Sequence, residues 1–221
     1  MAEEKKQKPE KKPQKKQEKK PAKQAEPKGE KKKAVVAKVP SRVKERYREQ
    51  IVPALKERLG YESVMAVPRL EKITVSMGLR TGKDKDARAR IEEAAADLTT
   101  ITGQKPMQTV ARRAVAGFGL REGQPVGLQV TLRGDRMYDF FDRLVSVAIP
   151  RVRDFQGLPR RAFDQAGNYS LGIREQSVFP EIDINKLTHV QGMNVTLTVR
   201  SRKPEDAAAL LEALGLPLVR I

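Results

Sequence analysis

Three segments of this 221-residue chain alternate apolar and polar side chains one by one, the period of a strand with one covered face. In Lys72 to Met77 the apolar set is Ile73, Val75 and Met77, set against Lys72, Thr74 and Ser76. Val126 to Arg133 sends Val126, Leu128, Val130 and Leu132 one way and Gln129, Thr131 and Arg133 the other. Gln191 to Arg200 divides Met193, Val195, Leu197 and Val199 from Asn194, Thr196, Thr198 and Arg200. Met107 to Arg113 is a weaker strand candidate. Four other stretches have helical spacing. Ser41 to Leu59 repeats Val43, Tyr47, Ile51, Leu55 and Leu59, with a kink expected at Pro53 and a stop at Gly60. Asp84 to Ile101 carries Ala87, Ile91, Ala94, Leu98 and Ile101 on one stripe, with Gly103 after it. Asp135 to Ile149 turns Met137, Phe140, Phe141, Leu144 and Ala148 inward, with Pro150 expected to end it. Pro204 to Leu214 starts on a favourable first-turn proline and stops at Gly215. Strict alternation implies one face covered by helices and one left open, which favours an antiparallel sheet. The predicted fold is α+β: a single domain with an antiparallel sheet, helices packed on one face and an open polar face.

The ten residues on those three open faces are hydroxyls, amides or bases, with no carboxylate and no aromatic. In a chain that is 33% charged, the missing acids point to a negative partner on this face. The plainer alternative is that Thr and Gln are simply good exposed strand residues. Readers of single-stranded RNA stack bases on sheet aromatics; without them, this face suits a folded RNA met through phosphates and 2′-hydroxyls. Lys72, Thr74, Gln129 and Arg133 are its candidate contacts.

The segment Arg112 to Gly127 holds Gly117, Gly119, Gly123 and Pro125, which predict a long, mobile connection. It also carries Val115, Phe118 and Leu120 beside Arg112, Arg113 and Arg121. An apolar tip flanked by arginines reads as a contact loop, unless Phe118 folds back onto the core. Ala116-Gly117-Phe118-Gly119-Leu120 departs at both ends from the aromatic signature of the RNA-recognition motif, and no strand-turn-helix unit surrounds its Gly-x-Gly.

Charge sharpens the choice of partner. Lys+Arg number 45 against 28 Asp+Glu, a formal net charge of +17 and a pI near 10.1, so a polyanion is the first candidate. The excess is divided unevenly. Residues 1–38 contain 15 Lys and 6 Glu among Gln, Pro and Ala, with nothing to bury, and are expected to be a disordered extension ahead of one domain at 39–221. Such a tail binds phosphate loosely, or is merely a solvated extension. The body has 8 Lys and 22 Arg, and the arginine fork suits fixed phosphate contacts.

Other classes find little support. There is no cysteine and one histidine, His189, so no disulfide, zinc site, iron-sulfur cluster or catalytic thiol is expected, and no cofactor or metal. Asp135, Asp139 and Asp142 share a helix with Arg136 and Arg143, a charge-laced face rather than an acid-base pair. No apolar run approaches the ~20 residues of a membrane span, and no signal or transit peptide is evident, so a cytoplasmic protein that does not enter membranes is expected. Asn168-Tyr169-Ser170 and Asn194-Val195-Thr196 match glycosylation sequons, without consequence in that compartment.

Longer runs carry more information. Val64 to Arg69 (VMAVPR), Thr102 to Pro106 (TGQKP), Ala111 to Phe118, Thr131 to Phe141, Ile149 to Phe155 (IPRVRDF) and above all Gly167 to Ile182 (GNYSLGIREQSVFPEI) closely resemble the bacterial large-subunit ribosomal protein five, the 5S rRNA-binding family. The resemblance covers Val43 to Leu218 in the family's order and leaves out residues 1–38. It implies a non-enzymatic structural constituent of the central protuberance that ties 5S rRNA to 23S rRNA beside neighbouring large-subunit proteins. It further implies contact with peptidyl-site tRNA through the loop matching Arg112 to Gly127, including Gly117, and a bridge to a small-subunit head protein. Three family residues at the 5S surface align with Ser76, Gln104 and Thr131. The family usually has Asn where Ser76 stands, and a hydroxyl replaces only part of an amide's two-ended contact. The alternative from another class is a nucleoid-type, general nucleic-acid-binding protein driven by the tail.

Overall fold

The alternating segments form strands β1 (Arg69–Gly78), β3 (Pro125–Leu132) and β6 (Met193–Arg200), joined by the shorter β2 (Met107–Val110) and β5 (Tyr169–Ile173). They make one five-stranded sheet in the order β2-β3-β1-β6-β5, with every neighbouring pair antiparallel. These assignments come from a computed structural model that describes residues 41–79 and 87–219. The lysine-rich extension expected at 1–38 and the helix start expected at Asp84 lie outside the described residues.

The helices are α1 (42–59), α2 (Ala87–Thr102), α3 (135–151) and α4 (Pro204–Ala213). Gly60, Gly103 and Gly215 follow them at the expected stops. Their apolar stripes meet the covered face of the sheet. Ile73, Val75, Leu132, Val195, Leu197, Leu98, Ile101, Phe140, Leu144 and Leu210 are all fully buried there. Phe140 stacks on Phe179 at 6.0 Å between ring centroids, and Tyr169 meets Phe163 edge-on at 4.7 Å. Burial pushes the Tyr47 and Tyr169 hydroxyls up to about 12, and both still donate, to the Pro68 and Pro159 carbonyls at 3.0 and 3.2 Å.

One expectation about proline needs correction. Pro150 does not end α3, which continues to Arg151, and α1 likewise runs on through Pro53 to Leu59. In each helix the turn before the proline widens into a π turn, Tyr47–Ile51 and Leu144–Ala148. The residue just before each proline, Val52 or Ile149, then donates five residues back, to Tyr47 or Leu144. A wide turn relieves the clash between a proline ring and the preceding turn, so the helix continues.

The strand readings also change. The β2 strand stops at Val110 rather than Arg113, and β5 had no counterpart in the hydropathy reading because five residues interrupted by Gly172 make a weak signal. The two-residue strands β4 (Leu158–Pro159) and β7 (Leu218–Val219) pair in parallel, well apart in sequence. Residues 111–124 are not a loose connection but a continuation of the β2–β3 hairpin. Ala111 N–H donates to Gln124 at 2.8 Å, Gly123 to Ala111 at 3.0 Å, and Val115 and Leu120 exchange both backbone bonds at 3.0 and 3.1 Å.

Candidate nucleic-acid interface

Antiparallel register places directly opposed residues on the same face, so the open side of the sheet can be read row by row. One row runs Met107, Gln129, Ser76, Asn194, Gly172 across all five strands. The next runs Thr131, Thr74, Thr196, Ser170, and beyond it Lys72 faces Thr198. Ser170 and Thr196 share a hydroxyl hydrogen bond at 3.1 Å. The rows hold short hydroxyls and amides on a rigid backbone, which suits hydrogen bonding to sugar hydroxyls and phosphate oxygens without steric obstruction. At one end the strands approach very closely: a Cβ at Gly127 would meet the Met77 carbonyl oxygen at 2.5 Å, so only glycine fits.

Gln104 does not lie on a strand. It follows α2, where Thr102 accepts from its backbone N–H at 3.3 Å, and its Nε2 donates to the Thr131 carbonyl at 3.4 Å. Thus two of the three residues drawn from the resemblance, Gln104 and Thr131, touch each other. Ser76 stands on β1 in the neighbouring row, beside Gln129. Lys72, Thr74, Ser76, Gln129 and Thr131 are all half-buried by their neighbours on this face.

Arg133 sits just past β3 and meets Glu71 at 3.7 Å, both side chains well exposed. Glu71 is the extra residue where the β1–β6 register shifts between Leu70 and Lys72. That bulge brings a carboxylate to the edge of the open face, which strict alternation could not foresee. Two further side chains of the rows were missed. Met107 is 65% exposed and completes the row of Gln129, and Ser170 belongs to the unforeseen β5. The Tyr169-Ser170-Leu171-Gly172-Ile173 alternation is the one signal for the second, and it is weak.

The tip of the β2–β3 hairpin has different chemistry. Ala116–Phe118 form a single 3-10 turn, closed by Gly119 at φ 66, a left-handed position that favours glycine. Phe118 is 77% exposed and Val115 41%, so Phe118 does not fold back onto the core. Arg112, Arg113, Gly117 and Arg121 are exposed around it. Gln124 steadies the base, its Oε1 accepting from Arg121 N–H at 3.1 Å.

The aspartates of α3 are used structurally. Asp142 takes a two-pronged contact from Arg42, 2.8 Å on each side, and Asp135 pairs with Lys44, which ties α3 to α1. His189 lies 3.4 Å from Glu93, whose carboxylate accepts from Thr188 N–H and is held below its usual range by that bond first. Gln176 is buried and donates to Asp97 at 2.8 Å. These groups clamp the segment before β6 onto α2. No described helix is long and apolar enough to cross a membrane.

Comparison with known families places this architecture. Residues 63–121 match the family described as ribosomal protein L5, and residues 125–218 match the model of the same family's C-terminus. The two matches follow one another in order, divide at the hairpin, and together take in the sheet, helices α2, α3 and α4 and the exposed tip, while α1 precedes them. The chain therefore belongs to the ribosomal protein L5 family, the non-enzymatic structural constituents of the large ribosomal subunit.

Proposed function

We propose that the open face of the sheet binds 5S rRNA and that the exposed hairpin tip contacts peptidyl-site tRNA. The observation that carries the first part is the pair of polar rows centred on Ser76, Gln129, Thr74 and Thr131, with Gln104 held against Thr131. In this reading Ser76, Gln104 and Thr131 make the central contacts. Thr74 and Gln129 extend them, and Lys72 and Arg133 meet phosphates at the edge. Arg133 acts there by exchanging its exposed Glu71 contact for an RNA oxygen, which costs little because such surface pairs are weak.

The second part rests on Phe118. A large exposed aromatic ringed by Arg112, Arg113 and Arg121, with Val115 and Gly117 completing the tip, reads shape and phosphate without base-specific bonds. Every tRNA could meet it in the same way. In the same reading, as the family resemblance implies, the protein also links to 23S rRNA, to neighbouring proteins of the central protuberance and to a small-subunit head protein.

The test is filter binding of 5S rRNA to the full chain. Thr131→Ala and Gln104→Ala are each expected to weaken binding by roughly 1–3 kcal/mol, the range for removing a polar group and leaving its partner unpaired. Unchanged affinity in both would remove the sheet from the interface.

A further inference from the structure

At the far end of the open face from the hairpin, Arg69 on β1 stands directly opposite Arg200 on β6. Their neighbours Leu70 and Val199 are buried in the core, so the alternation turns both arginines outward, where they are exposed. A like-charged pair in opposed positions destabilises a sheet unless something negative lies between. A third arginine joins them. Arg202 lies 5.9 Å from the centroid of the Tyr61 ring, and the Tyr61 hydroxyl donates in turn to the buried Asp206. This stacking holds the Arg202 guanidinium in place rather than leaving it to swing freely.

The three arginines line a cleft of about 300 Å³, together with Ser63, Met65 and Ser201. The Ser201 hydroxyl at its wall is buried and has no hydrogen-bond partner. Among the described residues no carboxylate lies within ion-pair distance of Arg69, Arg200 or Arg202. Elsewhere in the body, Arg42, Arg133, Arg143 and Arg160 each have such a partner.

We infer that this cleft is a phosphate-binding site, and that its occupant is a backbone phosphate of the RNA lying on the sheet. The inference rests on the RNA-binding reading of the open face and extends it. Guanidinium forks match phosphate oxygens two at a time, and three arginines line this one cleft. The same strands connect the cleft to the polar rows. Seven residues of β1 separate Arg69 from Ser76, about 23 Å at ~3.3 Å per residue, so one folded RNA can reach both. An acidic protein segment is the competing occupant, and binding of poly-glutamate tests for it.

The experiment compares 5S rRNA binding across a salt series for the full chain, for the double variant Arg69→Gln with Arg200→Gln, and for Thr131→Ala. Binding of poly-glutamate is measured in parallel. The double variant is expected to bind about tenfold more weakly at low salt. Its slope of log K against log salt becomes shallower by about 0.7–0.9, one phosphate's worth. Thr131→Ala loses affinity with its slope intact. Arg69→Lys with Arg200→Lys keeps most of the slope, which separates lost charge from lost folding. An unchanged slope in the glutamine variant overturns the inference, all the more if poly-glutamate binding disappears with it. A changed slope with Thr131→Ala silent retains the phosphate site and removes the polar rows from the interface.

Discussion

The open face of the sheet and the tip of the β2–β3 hairpin differ in what holds them in place. Behind each polar row stands a buried one: Thr74 and Thr131 alternate with Ile73, Val75, Val130 and Leu132, none more than 2% exposed. Positions on that face are therefore set by the whole core. The tip has no core behind it. Val115 and Leu120 exchange backbone bonds, Gly119 turns the chain, and Phe118 points its ring into solvent. A surface fixed by a core can hold a single RNA partner in register. One fixed by its own backbone bonds can be removed or altered without disturbing the fold, as suits a contact made and broken repeatedly.

The strongest way to break this comparison is through the core. Phe140→Ala, at a fully buried ring stacked on Phe179, should lower stability by about 3–5 kcal/mol in denaturant melts and weaken binding by the sheet. Deleting residues 114–123 and closing the gap with a short linker should change the same melt by less than about 1 kcal/mol. A deletion protein that fails to fold would show that the tip is part of the core after all.

The next effect is on tRNA. Ribosomes carrying that deletion, or Phe118→Ala, should release peptidyl-site tRNA about tenfold faster, equivalent to ~1.4 kcal/mol, with no preference among tRNA species. Normal assembly with unchanged tRNA release would make the tip a bystander. Smaller still is the tail. Removing residues 1–38 should make the salt slope of 5S rRNA binding shallower by about 0.7–0.9 for each phosphate that the tail neutralises, while the preference for 5S over unrelated RNA survives. If the preference goes with the tail, the general nucleic-acid-binding reading gains.

The smallest expected effect concerns the clamp before β6, which supports the sheet and not the tip. Burial, and then the nearby Glu93, raise the Asp97 carboxyl above its usual range. A raised folded-state value means that the ionised form is less welcome in the folded chain than in the unfolded one, so Asp97 lowers stability at neutral pH and ceases to do so below the ordinary carboxylate range. Asp97→Asn should therefore melt slightly higher than the parent at pH 7, and the difference should close as pH falls through the carboxylate range. An Asn oxygen can still accept from Gln176. A gap that widens toward acid would reverse the sign.

The sheet's covered face and most of its open face were legible in the sequence because period-two alternation survives in β1, β3 and β6. What escaped had physical reasons. Glu71 reached the open face through a bulge, which adds a residue that no alternation predicts. Ser170 sat on a strand too short and too glycine-interrupted to register. Met107 began only a weak strand candidate with no face assigned, and its pairing with Gln129 shows it on the open side. Pro150 read as a helix end because propensity has no term for a π turn that accommodates a proline. Gln104 was recognisable only through the long family runs, since its position depends on a tertiary bond to the Thr131 carbonyl.

The separateness of the two surfaces is tested most directly by the affinity of the 114–123 deletion protein for 5S rRNA, measured beside Thr131→Ala under the same salt. The deletion should bind as the parent does, while Thr131→Ala loses roughly 1–3 kcal/mol. A deletion that loses as much as Thr131→Ala, in a protein that still melts normally, would mean that the hairpin and the sheet form one RNA-binding surface and not two.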